Sequence, residues 1–164
     1  MVKTNINLFA EGEVVYTDGG ALAEFAWLLV VLPFIAALVI TFVGKNLPLK
    51  GAEIALGTIG IIFSYSLALM YLHITKGVAN EFFINVGSIG QFDIEFGWVV
   101  DGLSIMMYFV VGLVALLVFI YATNYMEGEI RYTFFFTSLT LFAGSMLVLV
   151  SSPTLIQILI GWEL

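Results

Sequence analysis

Apolar residues in this chain gather into long runs instead of alternating with charges. A hydrocarbon core about 30 Å thick takes about 20 apolar residues of helix to cross. Four stretches meet that length: residues 25–43 (FAWLLVVLPFIAALVITFV), 54–74, 103–122 and 133–150. A fifth run opens near Thr154 and has reached only Leu164 at the last residue, so it stands as a truncated span. Pro33 lies inside the first run and predicts a kink, which membrane helices tolerate. Trp27, Tyr71, Tyr121 and Tyr132 fall near predicted span ends, where amphipathic rings settle at the headgroups.

The pattern changes between the second and third spans. In FFINV and FDIEFGWVV apolar and polar residues alternate with period 2, the signature of half-exposed strands, and GSIGQ between them predicts the turn. The expected fold class is therefore all-α: a polytopic transmembrane helix bundle of four full spans plus a truncated fifth, with a small extramembrane β-hairpin between spans 2 and 3. Small residues recur at helical spacing on span 2 (Gly57, Gly60, Ser64, Ala68) and on span 4 (Thr137, Thr140, Gly144). Lipid tails give helices no hydrophobic reason to associate, so both stripes are expected to pack inside the bundle.

Composition agrees with lipid as the solvent. Of the 164 residues, 62% are hydrophobic and only 10% charged, against about 25% charged in an average soluble chain. The net charge of -7 and five scattered basic residues exclude the basic cluster that nucleic acid or an anionic lipid surface selects. With no cysteine, no disulfide, thiolate metal site or Cys-ligated iron–sulfur cluster is available. Residues 1–24 carry Lys3 followed by Glu11, Glu13, Asp18 and Glu24, unlike a signal peptide, and read as an acidic extramembrane leader. The 44–53 loop holds Lys45 and Lys50 and the 123–132 loop holds Arg131. An even number of spans separates these loops, so they share one side, against Lys76 and the distant Lys3. The positive-inside rule then places the amino terminus outside and the 44–53 loop in the cytoplasm.

Glu163 is the candidate chemical group. If the fifth helix enters at Thr154, nine residues at 1.5 Å each set Glu163 roughly 13 Å deep. An ionisable side chain there costs on the order of 3 kcal/mol and ordinarily faces a bundle interior or wet cavity. An apolar setting favours a neutral carboxyl and a nearby lysine favours a charged one; a group held between those states exchanges protons. The competing reading is a frayed, solvated terminus. The remaining polar groups have structural readings. Asp101, with Ser104 three residues on, suits a helix cap; His73 suits an interfacial hydrogen bond; Glu127, Glu129 and Arg131 suit a solvated loop; Trp162 shields the carboxyl or merely packs. No phosphate loop, metal-spaced His pair or nucleophile triad is readable.

Four motifs in order resemble a known family: DGLS at Asp101–Ser104, Y-x-x-x-YMEGE from Tyr121 to Glu129, RYTFFF from Arg131 to Phe136, and GWE from Gly161 to Glu163. Together with WLLVVLPFIAALVITFVGKNLP, they resemble the beginning of the NADH-quinone oxidoreductase subunit L, or chain 5, family. These are antiporter-like membrane subunits of respiratory complex I. The likeness covers about residues 25 to 164. It implies that Glu163 is a mid-membrane carboxylate of a proton pathway, working with a lysine on a later helix. It implies no redox centre on this chain, with NAD, FMN, iron–sulfur centres and quinone elsewhere in the complex. The implied partners are other membrane-arm subunits, the lipid bilayer and protons, in a bacterial inner membrane or a related energy-converting membrane.

Two departures accompany the likeness. Family members often carry an acidic–amide pair before the fifth helix, where SSPT here places Pro153 and Thr154. The family also continues for many more helices, so the expectation is an amino-terminal fragment or one piece of a split subunit. The alternatives are the large subunit of a multisubunit sodium/proton antiporter, a related hydrogenase-complex subunit, and a non-transporting structural membrane subunit.

Overall fold

The computed structural model of the chain describes residues 20–77, 79–89 and 92–164. Most of the leader therefore lies outside the described residues. In chain order the elements are a short helix α1 (Gly20–Glu24), α2 (Trp27–Val43) running into a 3-10 turn (Gly44–Asn46), and α3 (Ala52–Lys76). Strands β1 (Asn80–Ile89) and β2 (Phe92–Val100) follow, then α4 (Gly102–Tyr125), α5 (Tyr132–Ser151) and α6 (Leu155–Glu163). Four segments are long and apolar enough to cross a membrane: Trp27–Asn46, Ala52–Lys76, Gly102–Tyr125 and Tyr132–Ser151. They match the four predicted spans to within three residues at each end, apart from the 3-10 turn that extends the first. The chain is a multi-pass α-helical membrane protein.

Local chemistry sets where the helices begin and end. Asp101 caps α4: its Oδ1 accepts a hydrogen bond from the Ser104 N–H at 2.7 Å, as the DGLS spacing predicts. Asp101→Ala is expected to cost about 1 kcal/mol, read as a lower unfolding temperature in detergent. Thr154 caps α6, its hydroxyl accepting from the Gln157 N–H at 3.4 Å. Gly77 ends α3 at φ 64 and returns its N–H to the His73 carbonyl at 2.9 Å. A residue with a Cβ is strained in that left-handed conformation, so glycine terminates the span. At Pro33 the α-helix continues without a break.

The bundle is built from two close helix pairs, α2 with α5 and α3 with α4, which meet through α2–α3 and α4–α5 contacts; α6 lies on α5. Phe119, Phe136, Ile40, Ile59, Ile62, Tyr108 and Leu147 form its interior. The Phe119 and Phe136 rings meet edge-on at 6.0 Å. Buried hydroxyls bond back to their own helices: Ser66 to the Phe63 carbonyl, Thr140 to Phe136, Ser145 to Phe142 and Ser151 to Val148. In hydrocarbon these polar groups have no water to turn to, so the helix backbone satisfies them. Outward faces are apolar, with Phe42, Leu103 and Phe134 largely exposed for lipid contact.

The two small-residue stripes have different fates. That on α5 packs as expected: Thr140 and Gly144 are buried, and a Cβ on Gly144 would stand 3.1 Å from Pro33 Cγ and 3.2 Å from Phe34 Cε2 of α2. That on α3 does not. Gly57, Gly60, Ser64 and Ala68 face outward and, with Ile61 and Tyr65, line an open groove of about 600 Å³. A second correction concerns Tyr132. It is 6% exposed, packs its ring tilted against Phe136 with centroids 4.8 Å apart and donates its hydroxyl to the Thr123 carbonyl at 3.4 Å, so it is a core residue and not a headgroup anchor. Tyr71 and Tyr121 are exposed near the span ends, as expected.

Strands β1 and β2 pair antiparallel, from Asn80 opposite Val100 to Ile89 opposite Phe92, with a bulge between Asn85 and Gly87. The hairpin was expected, and the two strands join within the GSIGQ segment, as predicted. Gly87 and Ser88 belong to β1, so the GSIGQ segment is mostly strand, and its last two residues lie outside the described ones. Phe82 and Trp98, directly opposite in register, stack with centroids 4.4 Å apart, a pair worth about 0.5–1.5 kcal/mol beyond area burial.

Candidate functional site

The connections sort to the two ends of the bundle. At one end Thr133 at the start of α5 donates to the Lys50 carbonyl at 3.0 Å. The loops carrying Lys45, Lys50 and Arg131 therefore share an end, as the basic-residue count requires. The hairpin, the Asp101 cap and the start of α6 share the other end. There, burial pushes the Glu81 carboxyl above its usual range, and the nearby Asp101 charge adds to the rise. The sign follows: stability from the neutral acid is present at low pH and is lost as pH rises through the raised value. Glu81 keeps much of its surface in solvent, so this contribution is small.

Helix α6 starts at this end and touches the bundle along a thin stripe. Of its nine residues only Gln157 and Gly161, four apart, are buried. Gly161 sits directly on the α5 backbone: a Cβ there would come within 2.9 Å of the Leu149 N and 3.1 Å of its Cα. The glycine of GWE is thus a helix-crossing residue that lets two backbones meet. Glu163, two residues on, is about 200° further round the helix and is exposed on the face turned away from α5. The interior of the bundle formed by α2–α5 is therefore not where its carboxylate points. Trp162 is exposed as well and does not cover it within this chain.

Gln157 is not among the residues that the sequence motifs single out. Its side chain is 7% exposed. The amide nitrogen donates to the Gly97 carbonyl at 2.8 Å, while Oε1 accepts from the Gly97 N–H at 2.9 Å. Both backbone groups of one strand residue are thereby satisfied by one side chain. Thr154 adds a third bond, donating its hydroxyl to the Glu95 carbonyl at 3.2 Å. The available signal was a single amide in the otherwise apolar run LIQILI, since a polar side chain at membrane depth is costly without a partner. Which partner it takes is not readable from position 157. His73, in the last turn of α3, sets its ring against the first residue of α4, where a Cβ on Gly102 would meet Nε2 at 2.8 Å. Among the described residues no group of three or more His, Cys, Asp or Glu could hold a metal ion.

This arrangement defines a polytopic α-helical membrane protein with one carboxylate on α6. Residues 87–136, covering most of the hairpin, α4 and the start of α5, match the family described as NADH-Ubiquinone oxidoreductase (complex I), chain 5 N-terminus. The chain is 37% identical over 151 residues, 87% of its length, to the NAD(P)H-quinone oxidoreductase chain 5 of a Picosynechococcus species. It is 39% identical over 150 residues to the chain 5 of a Synechocystis species, again across 87% of its length. The chloroplastic subunit 5 of Chlorokybus atmophyticus is 33% identical over 148 residues, 86% of this chain. The chain is similar to the chain 5 family, as its motifs indicate, and spans 22–23% of the length of these three relatives.

Proposed function

We propose that this chain supplies amino-terminal helices of a chain 5-type, antiporter-like membrane subunit of a proton-pumping NAD(P)H-quinone oxidoreductase, in which Glu163 is an intramembrane proton-transfer carboxylate. The observation that carries this reading is the place of Glu163. It lies nine residues, roughly 13 Å, beyond the capped start of a helix, on a chain whose similarity to chain 5 proteins runs along 87% of its length. Carboxyls within membrane helices ordinarily pair with a cation or face a wet cavity and mark proton paths. In such a pair, approach or withdrawal of the cation drives a proton off or onto the carboxyl. In this reading the cation comes from a lysine outside this chain, as the family resemblance implies, and approaches the face of α6 turned away from α5. NAD, FMN, iron–sulfur centres and quinone belong to other subunits. The chain's partners are the other membrane-arm subunits, lipid and protons.

The same reading orients the chain in a bacterial inner membrane or a related energy-converting membrane. Lys45, Lys50 and Arg131 mark the cytoplasmic end, which sets the hairpin and the amino terminus outside. A cysteine placed at Ser88 is expected to react with an impermeant thiol reagent from the outer side only. Labelling confined to the cytoplasmic side overturns the orientation. The role of Glu163 is tested by Glu163→Gln in the assembled complex in sealed vesicles. Loss of proton translocation with assembly retained supports it; an unchanged number of protons per electron pair overturns it.

A further inference from the structure

Helix α6 has few holds on the rest of the described chain, and the strongest is polar. From Gln157 to Glu163 is six residues, about 9 Å along the axis. Any slide or rotation of α6 therefore carries the carboxylate with it. Gly161 against Leu149 limits how far α6 can stand from α5, but a contact between smooth backbones resists sliding poorly. The paired bonds from Gln157 to Gly97 do resist it, because both have to break at once and the amide is buried. The strand end of the clamp is rigid too. Gly97 is buried against the Phe82 carbonyl of β1, and Val99 of the same strand accepts from the Tyr108 hydroxyl of α4 at 3.4 Å.

We infer that Gln157 is a positioning residue for Glu163: its amide clamps α6 to the hairpin and so sets the depth and rotation at which the carboxylate meets its proton partners. This rests on the proton-transfer reading of Glu163. It adds that the hairpin, at the bundle end, is mechanically connected to the carboxylate by the buried Gln157 clamp, with the Thr154–Glu95 bond beside it at the start of α6. A displacement of about 1 Å at a reacting group can cost on the order of a hundredfold in rate, so a clamp of this kind has kinetic weight far beyond its two hydrogen bonds.

The test compares Gln157→Met, Gln157→Glu and Glu163→Gln in the whole complex, with proton translocation measured across a pH series and quinone-reductase activity as the check of assembly. Methionine keeps the length and removes both bonds. It is expected to lower translocation by about tenfold or more and to shift its pH profile, which a loss of assembled complex alone does not do. Glutamic acid, when protonated, donates to the Gly97 carbonyl and accepts from its N–H as the amide does, so translocation is expected to recover as pH falls. The titratable groups on the elements around the clamp are Glu81 on β1, Asp93 and Glu95 on β2, Asp101 before α4 and Tyr108 on α4, and all are unchanged among these variants. If the methionine variant does not assemble, the glutamate variant decides, and a deficit that is flat with pH overturns the inference. Wild-type profiles in both Gln157 variants, with Glu163→Gln defective, overturn the inference alone. Intact translocation in Glu163→Gln overturns the reading of Glu163, and this inference with it.

Discussion

Glu163→Gln is expected to lower proton translocation by on the order of a hundredfold, the lower end of what a positioned proton-transfer group contributes. Glutamine keeps the size and hydrogen-bonding reach of the carboxyl but neither takes up nor releases a proton. The substitution isolates that chemistry because no hydrogen bond or ion pair among the described residues uses the side chain. Glu163 is exposed on the side of α6 away from α5, whereas the helix is held through Gln157 and Gly161. Folding stability is therefore expected to change by no more than about 0.5 kcal/mol, as for other unburied substitutions. Glu163→Asp sharpens the result. It retains the exchangeable proton and withdraws it by one methylene, so translocation is expected to fall partway, with the protein equally stable. Proton counts per electron pair in sealed vesicles, beside unfolding curves in detergent, separate the two effects. Equal translocation in all three proteins would sink the assignment.

Gly97→Ala is expected to have the largest structural effect of any single methyl addition in the hairpin. A Cβ at position 97 would stand 2.0 Å from the Phe82 carbonyl oxygen and 3.2 Å from the Phe83 Cα. The obstructing atoms are backbone, so no rotamer change relieves the overlap and the two strands have to separate. Separation breaks the Phe82–Trp98 stack and withdraws the groups that Gln157 holds. Overpacking on a rigid neighbour costs about 3 kcal/mol, to which the lost clamp adds. The expected result is a hairpin that proteases cut readily, and a lower unfolding temperature than that of Gln157→Met. A variant as resistant as the native chain would show that the strands accommodate the methyl by shifting together.

How far the chain was legible depended on the range of each interaction. The spans were legible because transfer from water to lipid is summed residue by residue, and 20 apolar positions make that sum large wherever they occur. The Asp101 cap was legible for a related reason: a cap acts on an N–H three residues away, inside the same short string. Faces were harder. Periodicity groups Gly57, Gly60, Ser64 and Ala68 on one side of α3 and Thr137, Thr140 and Gly144 on one side of α5, but it does not say which side meets another helix. Tyr132 shows the same gap, since a tyrosine near a span end suits either the headgroups or the core. Only the position of Phe136 and the Thr123 carbonyl decides between them.

Glu163 stood out in the sequence because a carboxyl in an apolar run is costly anywhere in a membrane. Gln157 did not, because the worth of an amide depends on what it touches, and its partner Gly97 lies 60 positions away. Four spans, a hairpin, the α4 cap, the shared end of the basic loops and a carboxylate nine residues into the last apolar run were all readable along the chain. Tertiary structure alone decided that the α5 stripe packs while the α3 stripe stays open, that α6 leans on α5 through Gly161, and that the hairpin holds α6 through Gln157. Solvent transfer and helix capping act within a few residues, whereas burial of a face and pairing of an amide require a second surface brought from far along the chain.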